Sequence, residues 1–463
     1  MLGCRECFIT LLLYLGKASV QRDTRERWQL IPSGTRDWLP REAARIRGAA
    51  SGVLAEAARW GYREVVTPTL EYLDVLVRAE GAGAPDRLFK LIDRGGELLA
   101  LRPDMTTSVA RLVATRLRDV ASAASLPLRV AYAGQVFRGA PPAGAARLRE
   151  FPQVGCELIG PRTVEADAEI VALTVAAFRA AGVAAFSLSL GHVGFLQSVL
   201  AGLDLSEDDG AAVRALLYQK DFVGLGGLLE RHRAPADRIE ALLALPALRG
   251  PDALVEAGRL VHTPEGRDVV RDLERLGEAL AAHGVADAVT IDLSIIRDFD
   301  YYTGIVFEGH TAAVGAPLGG GGRYDRLLEQ FGVALPATGF ALRLDRVLAA
   351  EGAAEDGAQA WTPDAVVAAD AGCGAEAAAC ARALRSCGFT VALEVLGRPW
   401  DEVADDAARR GVPRAILVGR GAARVREGGN AERRVPLSEL TATGRRGTGA
   451  RPPAPDARPG GPW

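Results

Sequence analysis

Lysine is almost missing from this sequence: only Lys17, Lys90 and Lys220 occur, and arginine supplies the rest of the 55 basic residues. Alanine is abundant as well, and the pair of biases reads as the codon usage of a GC-rich genome, with no function attached. A basic excess is also missing. The 55 basic residues meet 58 acidic ones, for a formal net charge of −3, so the sum lacks the positive field typical of nucleic-acid binders, although a local patch remains compatible with it. Cysteines are few and scattered, at positions 4, 7, 156, 373, 380 and 387. Only Cys4 and Cys7 form a CxxC, and no second close pair completes a zinc site. Scattered thiols in a long chain do not make a disulfide framework, which points to a reducing cytoplasm. The mostly apolar stretch 8–15 is too short to span a bilayer. No clear cleavage site follows it, so residues 1–28 are expected to be an over-extended start outside the fold.

What the chain does have is material for a core: 49% of its 463 residues are hydrophobic, enough for two or three domains. Residues 41–60 set Ile46, Val53, Leu54 and Ala57 at helical spacing. A strand over 64–67 is closed by Pro68, and a helix follows over 105–117. Residues 128–137 and 152–160 read as two strands of a hairpin around a loop of Gly, Ala and Pro at 139–146, followed by a helix over 164–181. From about 190 to 285 the pattern is helical throughout, an all-helical insertion. Strand signals return at 290–293 and 303–309. Residues 319–322 read as a glycine turn with a helix from Tyr324, then a strand over 338–344 and a helix from Asp345. A polar linker spans 353–362. Apolar runs at 365–369, 391–395 and 415–418, separated by helical segments, give a small α/β domain over 363–440. The Arg/Pro/Gly tail 441–463 has little to bury and is expected to be disordered.

Eight blocks stand in fixed order. They are Gly34-Thr35-Arg36-Asp37-Trp38-Leu39-Pro40; Gly61-Tyr62-Arg63-Glu64-Val65-Val66-Thr67-Pro68; Leu101-Arg102-Pro103-Asp104-Met105-Thr106; Val136-Phe137-Arg138; Phe151-Pro152-Gln153-Val154-Gly155-Cys156-Glu157; Arg297-Asp298-Phe299-Asp300-Tyr301-Tyr302-Thr303-Gly304; Gly320-Gly321-Gly322-Arg323-Tyr324-Asp325; and Gly339-Phe340-Ala341-Leu342-Arg343-Leu344-Asp345-Arg346. Together they resemble the class II histidyl-tRNA synthetase family from residue 31 to about 440. The resemblance implies an α+β fold: a class II synthetase-like core over 29–352 with a six-stranded antiparallel sheet and flanking helices, the helical insertion, and an anticodon-binding-like α/β domain. It also implies a dimer built through Thr67 and Pro68.

Two families share that architecture: the synthetases, and the regulatory subunits that activate short-form ATP phosphoribosyltransferase. The resemblance implies a histidine site in which Asp104 and Thr106, flanking Met105, hold the amino group, with Gln153 and Glu157 nearby. Arg138 and Arg297 would face the carboxylate, and Tyr301 and Tyr302 would wall the imidazole. That set suits a zwitterion, which needs an acid for its ammonium and an arginine for its carboxylate. Asp104 stands where the synthetases have glutamate.

The nucleotide motifs depart further. Ala140 replaces the acid that reads the adenine amino group, Arg147 and Arg149 are the remaining candidates for phosphates, and Arg346 keeps the place of the γ-phosphate arginine. Arg343 replaces a glycine and would fill or rim the adenine site, and Asp345 replaces a glutamate. The helix beginning Trp400-Asp401-Glu402, with Asp405 and Asp406, carries the wrong charge for RNA. The expectation is therefore a cytoplasmic, non-catalytic regulatory subunit of short-form ATP phosphoribosyltransferase, with L-histidine as effector, acting as a dimer within a hetero-octamer. No catalytic residue, metal, cofactor, tRNA or membrane contact is expected. The alternative is a divergent histidyl-tRNA synthetase.

Overall fold

The computed structural model describes residues 30–80, 84–117, 126–139, 148–201, 203, 205–219, 221–232, 235–295, 301–351, 362–428 and 431–442. The expectations for segment 1–28, Ala140, Arg147, Arg297, nearly all of the 353–362 linker and the tail from 443 fall outside these residues. The chain divides after Glu351 into two compact units.

The first unit holds β1 (Arg63–Glu64), β2 (Leu70–Tyr72), β3 (Lys90–Ile92), β4 (Leu98–Leu101), β5 (Leu128–Phe137), β6 (Glu150–Ile159), β7 (Ser187–His192), β8 (Val289–Ile291), β9 (Ile305–Thr311), β10 (Val314–Arg323) and β11 (Ala337–Arg343). Its main sheet runs β1-β5-β6-β11-β10-β9-β7-β8. Strands β5 to β7 in that order are antiparallel neighbours, but β1 lies parallel to β5 and β8 parallel to β7. The expected six-stranded antiparallel sheet is thus the inner part of an eight-stranded mixed one. The reason lies in the connections. Parallel neighbours need a crossover, and the helical insertion between β7 and β8 is one. The edge strands are also short, two and three residues, too brief for a periodicity to show direction.

The glycine run expected to turn is instead part of a strand. Gly319 to Gly322 lie within β10, and no helix starts at Tyr324; only a short 3-10 turn follows, at Leu328–Phe331. These glycines serve close strand packing. A Cβ at Gly321 would strike the Gly339 carbonyl oxygen, and one at Gly322 the Ile305 carbonyl oxygen.

Helices Pro40–Arg59 and Val164–Ala180 cover one face of the sheet. Pro40 opens the first, where its missing N–H is not needed, and Glu42 accepts from the Leu39 N–H at 3.2 Å. Gly52 lets the second come close: a Cβ there would stand 2.6 Å from the Ala180 carbonyl oxygen. On that face Arg323 is buried with Asp167 at 2.9 Å and Asp325 at 3.0 Å. A buried guanidinium with two acids is a specific lock, since losing either partner strands a charge. The lock fixes the end of β10, and so the direction of Tyr324 on the opposite face.

A second sheet, β2-β4-β3, flanks the main one. It turns Leu70, Tyr72, Leu91, Ile92 and Leu98 outward, and Val66 is exposed nearby. Among the described residues no helix is long and apolar enough to cross a membrane.

The second unit holds β12 (Ala365–Ala369), β13 (Val391–Leu393), β14 (Arg414–Val418), β15 (Ala422–Glu427) and β16 (Arg433–Pro436) in the order β13-β12-β14-β15-β16. The first three are parallel, as the βαβαβ order requires. Helices Gly374–Ser386 and Trp400–Arg409 pack into separate clusters against the sheet, giving three layers. The sequence reading contained no β15 or β16: arginines alternate with the buried Ala423, Val425 and Val435 and mask the period of two.

Candidate functional site

A cavity of about 470 Å³ opens on the main sheet, on the face away from helix Val164–Ala180. Its floor follows from register. Tyr132, Gly155, Ala341, Gly320, Glu308 and Ser189 pair in one row across β5, β6, β11, β10, β9 and β7. Three small residues at the centre of that row leave a trough. Gly155 is required there, since its Cβ would lie 2.6 Å from the Tyr132 hydroxyl.

At one end stands Glu157, on β6 and 1% exposed. Three hydroxyls donate to it: Thr106 Oγ1 at 2.8 Å, Tyr132 at 2.9 Å, and Tyr324. Burial pushes its carboxyl up to about 8, against the three hydroxyls, which favour the charge. Burial likewise raises both tyrosines, so they remain donors. Gly339 faces Glu157 across the β6–β11 pair, and any side chain there would collide with the carboxylate.

Asp104 sits just before helix Thr106–Arg116. Its Oδ1 accepts from the Thr107 N–H at 3.1 Å, while the buried Oδ2 has no donor in hydrogen-bond geometry. Burial raises its pKa, opposed by the Thr107 N–H, the nearby Arg138 guanidinium, and the Thr107 and Tyr301 hydroxyls, which lie close to the carboxylate without meeting hydrogen-bond geometry at Oδ2. Gln153 Oε1 is a second buried acceptor without a donor. Both acceptors lie beside one cavity, where a donor group entering it would find them, and an unsatisfied buried acceptor costs about 1–3 kcal/mol.

Of the nine residues expected to hold histidine, Asp104, Thr106, Arg138, Gln153, Glu157 and Tyr301 line the cavity together. Met105 and Tyr302 do not. Met105 is 1% exposed and packs in the core under the site, and Tyr302 backs Tyr301 with ring centroids 4.8 Å apart. Both point into packing and not into the cavity. Arg297 lies outside the described residues.

Tyr132 and Tyr324 were missed, as were Ser189, Asp292, Ser294, Glu308 and His310 at the far end. Tyr324 had a signal: once 319–322 is a strand, alternation carries Gly320, Gly322 and Tyr324 to one face. Arg149, a candidate for phosphates, instead bonds the Gly139 carbonyl oxygen at 2.7 Å and packs over Phe89. In the second unit the acids of helix Trp400–Arg409 are less free than the sequence implied: Asp405 meets Arg426 at 2.9 Å, and Asp406 meets Arg398 at 3.2 Å. The charge argument against RNA is weaker by that much.

The raised Glu157 gives a stability test. Its ordinary value is 4.5 and the folded value about 8, so the folded chain keeps a proton that the unfolded chain releases, and stability falls as pH rises through that window. Glu157→Gln removes the titration. Its melting temperature relative to wild type is expected to climb between about pH 5 and about pH 9 in thermal scans. A difference that stays flat would show that the carboxyl titrates normally.

The histidyl-tRNA synthetase family profile matches residues 34–347. The ATP phosphoribosyltransferase regulatory subunit of Moorella thermoacetica is 43% identical over 386 residues, covering 82% of this chain and 96% of that protein. The protein of the same name from Desulforamulus reducens is 39% identical over 394 residues, covering 85% and 96%. The crystal structure of an ATP phosphoribosyltransferase regulatory subunit/histidyl-tRNA synthetase from Bacillus halodurans superposes with a TM-score of 0.72 at 34% identity, covering 82% of this chain and 97% of that one. With a family profile over two thirds of its length and relatives of that identity, the chain belongs to the ATP phosphoribosyltransferase regulatory subunits, a family with the class II histidyl-tRNA synthetase fold.

Proposed function

We propose that this chain is a non-catalytic subunit that activates a short-form ATP phosphoribosyltransferase and conveys L-histidine feedback at the first step of L-histidine biosynthesis. The observation that carries the histidine reading is the pair of donorless buried acceptors, Asp104 Oδ2 and Gln153 Oε1, beside Arg138. An α-ammonium would satisfy both, and the guanidinium would take the α-carboxylate. The imidazole would lie against Tyr301, within reach of Glu157. The partner catalytic subunit would bind ATP and phosphoribosyl pyrophosphate. Feedback then requires histidine to bind the low-activity arrangement of the complex better than the active one.

The divergent-synthetase alternative meets a specific obstacle in Arg343, which lies on Phe151 in the same cavity. Titration calorimetry tests the histidine reading directly: L-histidine is expected to bind the isolated chain, while histidinol, which lacks the carboxylate, binds much more weakly. No heat with L-histidine at millimolar concentration would remove the effector from this cavity.

Within a cytoplasmic hetero-octamer the chain is expected to pair with itself through the segment around Thr67 and Pro68. The outward Tyr72 and Ile92, with Val66, form an apolar surface beside that segment. Tyr72→Lys with Ile92→Lys is expected to halve the mass measured by light scattering while leaving the circular dichroism spectrum unchanged. A mass that does not change would place the contact elsewhere.

A further inference from the structure

We infer that a second cavity, beside the Arg323 lock, binds the phosphate group of a small ligand through His192, Thr303 and Arg162. This cavity shares no lining residue with the one that would hold histidine, and its role stands whether or not the function proposed above does.

The cavity has a volume of about 310 Å³. Its walls are the ends of β7 and β10, the start of β9, the start of helix Val164–Ala180, and one side of helix Pro264–Ala282. A further cavity of about 350 Å³ adjoins it and shares Arg162, Thr303 and Asp325 with it. Each is of a size that holds small-molecule ligands. The acids here already have partners. Asp167 accepts from Arg323 Nε at 3.1 Å with both oxygens. Asp325 takes Arg323 at Oδ1 and Arg162 at Oδ2, each at 3.0 Å. Asp272 stands at the rim, 53% exposed and 3.8 Å from Arg275.

The donors, in contrast, are left over. His192 Nδ1 accepts from the Gly194 N–H at 3.0 Å, so that nitrogen carries no proton. Burial, and then the nearby Arg323 charge, pulls the ring down to about 4. It is therefore neutral, with its proton on Nε2, and among the described residues that N–H has no acceptor. Thr303 Oγ1 accepts from the Asp325 N–H at 3.0 Å. Its own proton has only the Arg323 carbonyl oxygen at 3.5 Å, which the Thr303 N–H already meets at 2.8 Å. Arg162 uses Nε on Asp325 and leaves both Nη groups without a partner among the described residues. Three leftover donors, from β7, from the approach to β9 and from the turn before helix Val164–Ala180, line one cavity. Donors in that arrangement fit a group with several acceptor oxygens pointing in different directions, which is a phosphate, and the guanidinium supplies the charge-assisted contact. The paired arginines and acids nearly cancel, so the affinity follows from these hydrogen bonds more than from a broad positive field.

The test is calorimetry on the full chain, in a phosphate-free buffer at constant ionic strength, with two probes: inorganic phosphate and ribose 5-phosphate. The variants are His192→Asn and Arg162→Gln, each followed by a thermal scan. Asparagine keeps an acceptor for the Gly194 N–H at the start of helix Val193–Leu200 and removes the Nε2 donor. Arg162 is 76% exposed, so its replacement leaves the core intact and keeps the test open should His192→Asn fail to fold. The wild-type chain is expected to bind at least one probe in the millimolar range or tighter, and each variant that melts cooperatively to bind it about ten-fold more weakly or worse. Tighter binding of ribose 5-phosphate would support the site with a phosphate ester as its ligand, and tighter binding of inorganic phosphate would support it with the free ion. No heat from either probe at millimolar concentration would overturn the proposal. So would binding that Arg162→Gln leaves unchanged, since the anion would then sit elsewhere on the chain.

Discussion

Asp104→Asn is expected to raise the histidine concentration for half-maximal inhibition of the assembled phosphoribosyltransferase about ten- to 150-fold. The variant keeps the Oδ1 acceptor that caps the Thr107 N–H, and so keeps the local backbone. What it removes is the charge at Oδ2, the atom left without a donor. A charge-assisted hydrogen bond to an ammonium contributes about 1.5–3 kcal/mol, which gives that range of affinity. Activation by the chain should persist, because it depends on surfaces that meet the catalytic subunit. The check is the phosphoribosyltransferase rate against histidine concentration, on wild-type and variant assemblies of equal mass. An unchanged inhibition curve would move the sensor out of this cavity.

Histidine-dependent exchange of pyrophosphate into ATP is expected to remain at background, and tRNA is expected not to be charged. Adenylate formation needs a nucleotide held with its α-phosphate against the amino-acid carboxylate, an alignment worth several orders of magnitude in rate. Here Arg343, held by Asp345 at 2.8 Å, lies over Phe151 in the cavity. Exchange of labelled pyrophosphate into ATP at micromolar protein decides the point. Robust exchange would make the chain a synthetase despite its regulatory-subunit relatives.

How much of this was legible in the sequence depended on the signal each element carries. Strand β5 was bounded correctly because ten residues of strand pattern end at a Gly/Pro loop, and β6 was placed to within two residues. Strand β10 was lost because glycine has no side chain with which to show a period, and its strand role comes from the neighbouring backbones at Gly339 and Ile305. The parallel edges were lost because direction is a property of the crossover and not of the strand. The family blocks bring six of the expected site residues to one cavity. Met105 and Tyr302 stand in the same blocks but turn into packing, since a block fixes position in the chain but not which way a side chain turns. The far wall, from Ser189 to His310, is assembled from strands distant in sequence, and only register joins them.

The most direct test of the account is a rate measurement on a short-form ATP phosphoribosyltransferase catalytic subunit from the same genome, alone, with this chain added, and with this chain and L-histidine. The account predicts that the chain co-elutes with the catalytic subunit and raises its rate, and that histidine lowers the rate of the wild-type assembly far more effectively than that of the Asp104→Asn assembly. A catalytic subunit whose rate and elution are unchanged by the chain would contradict it.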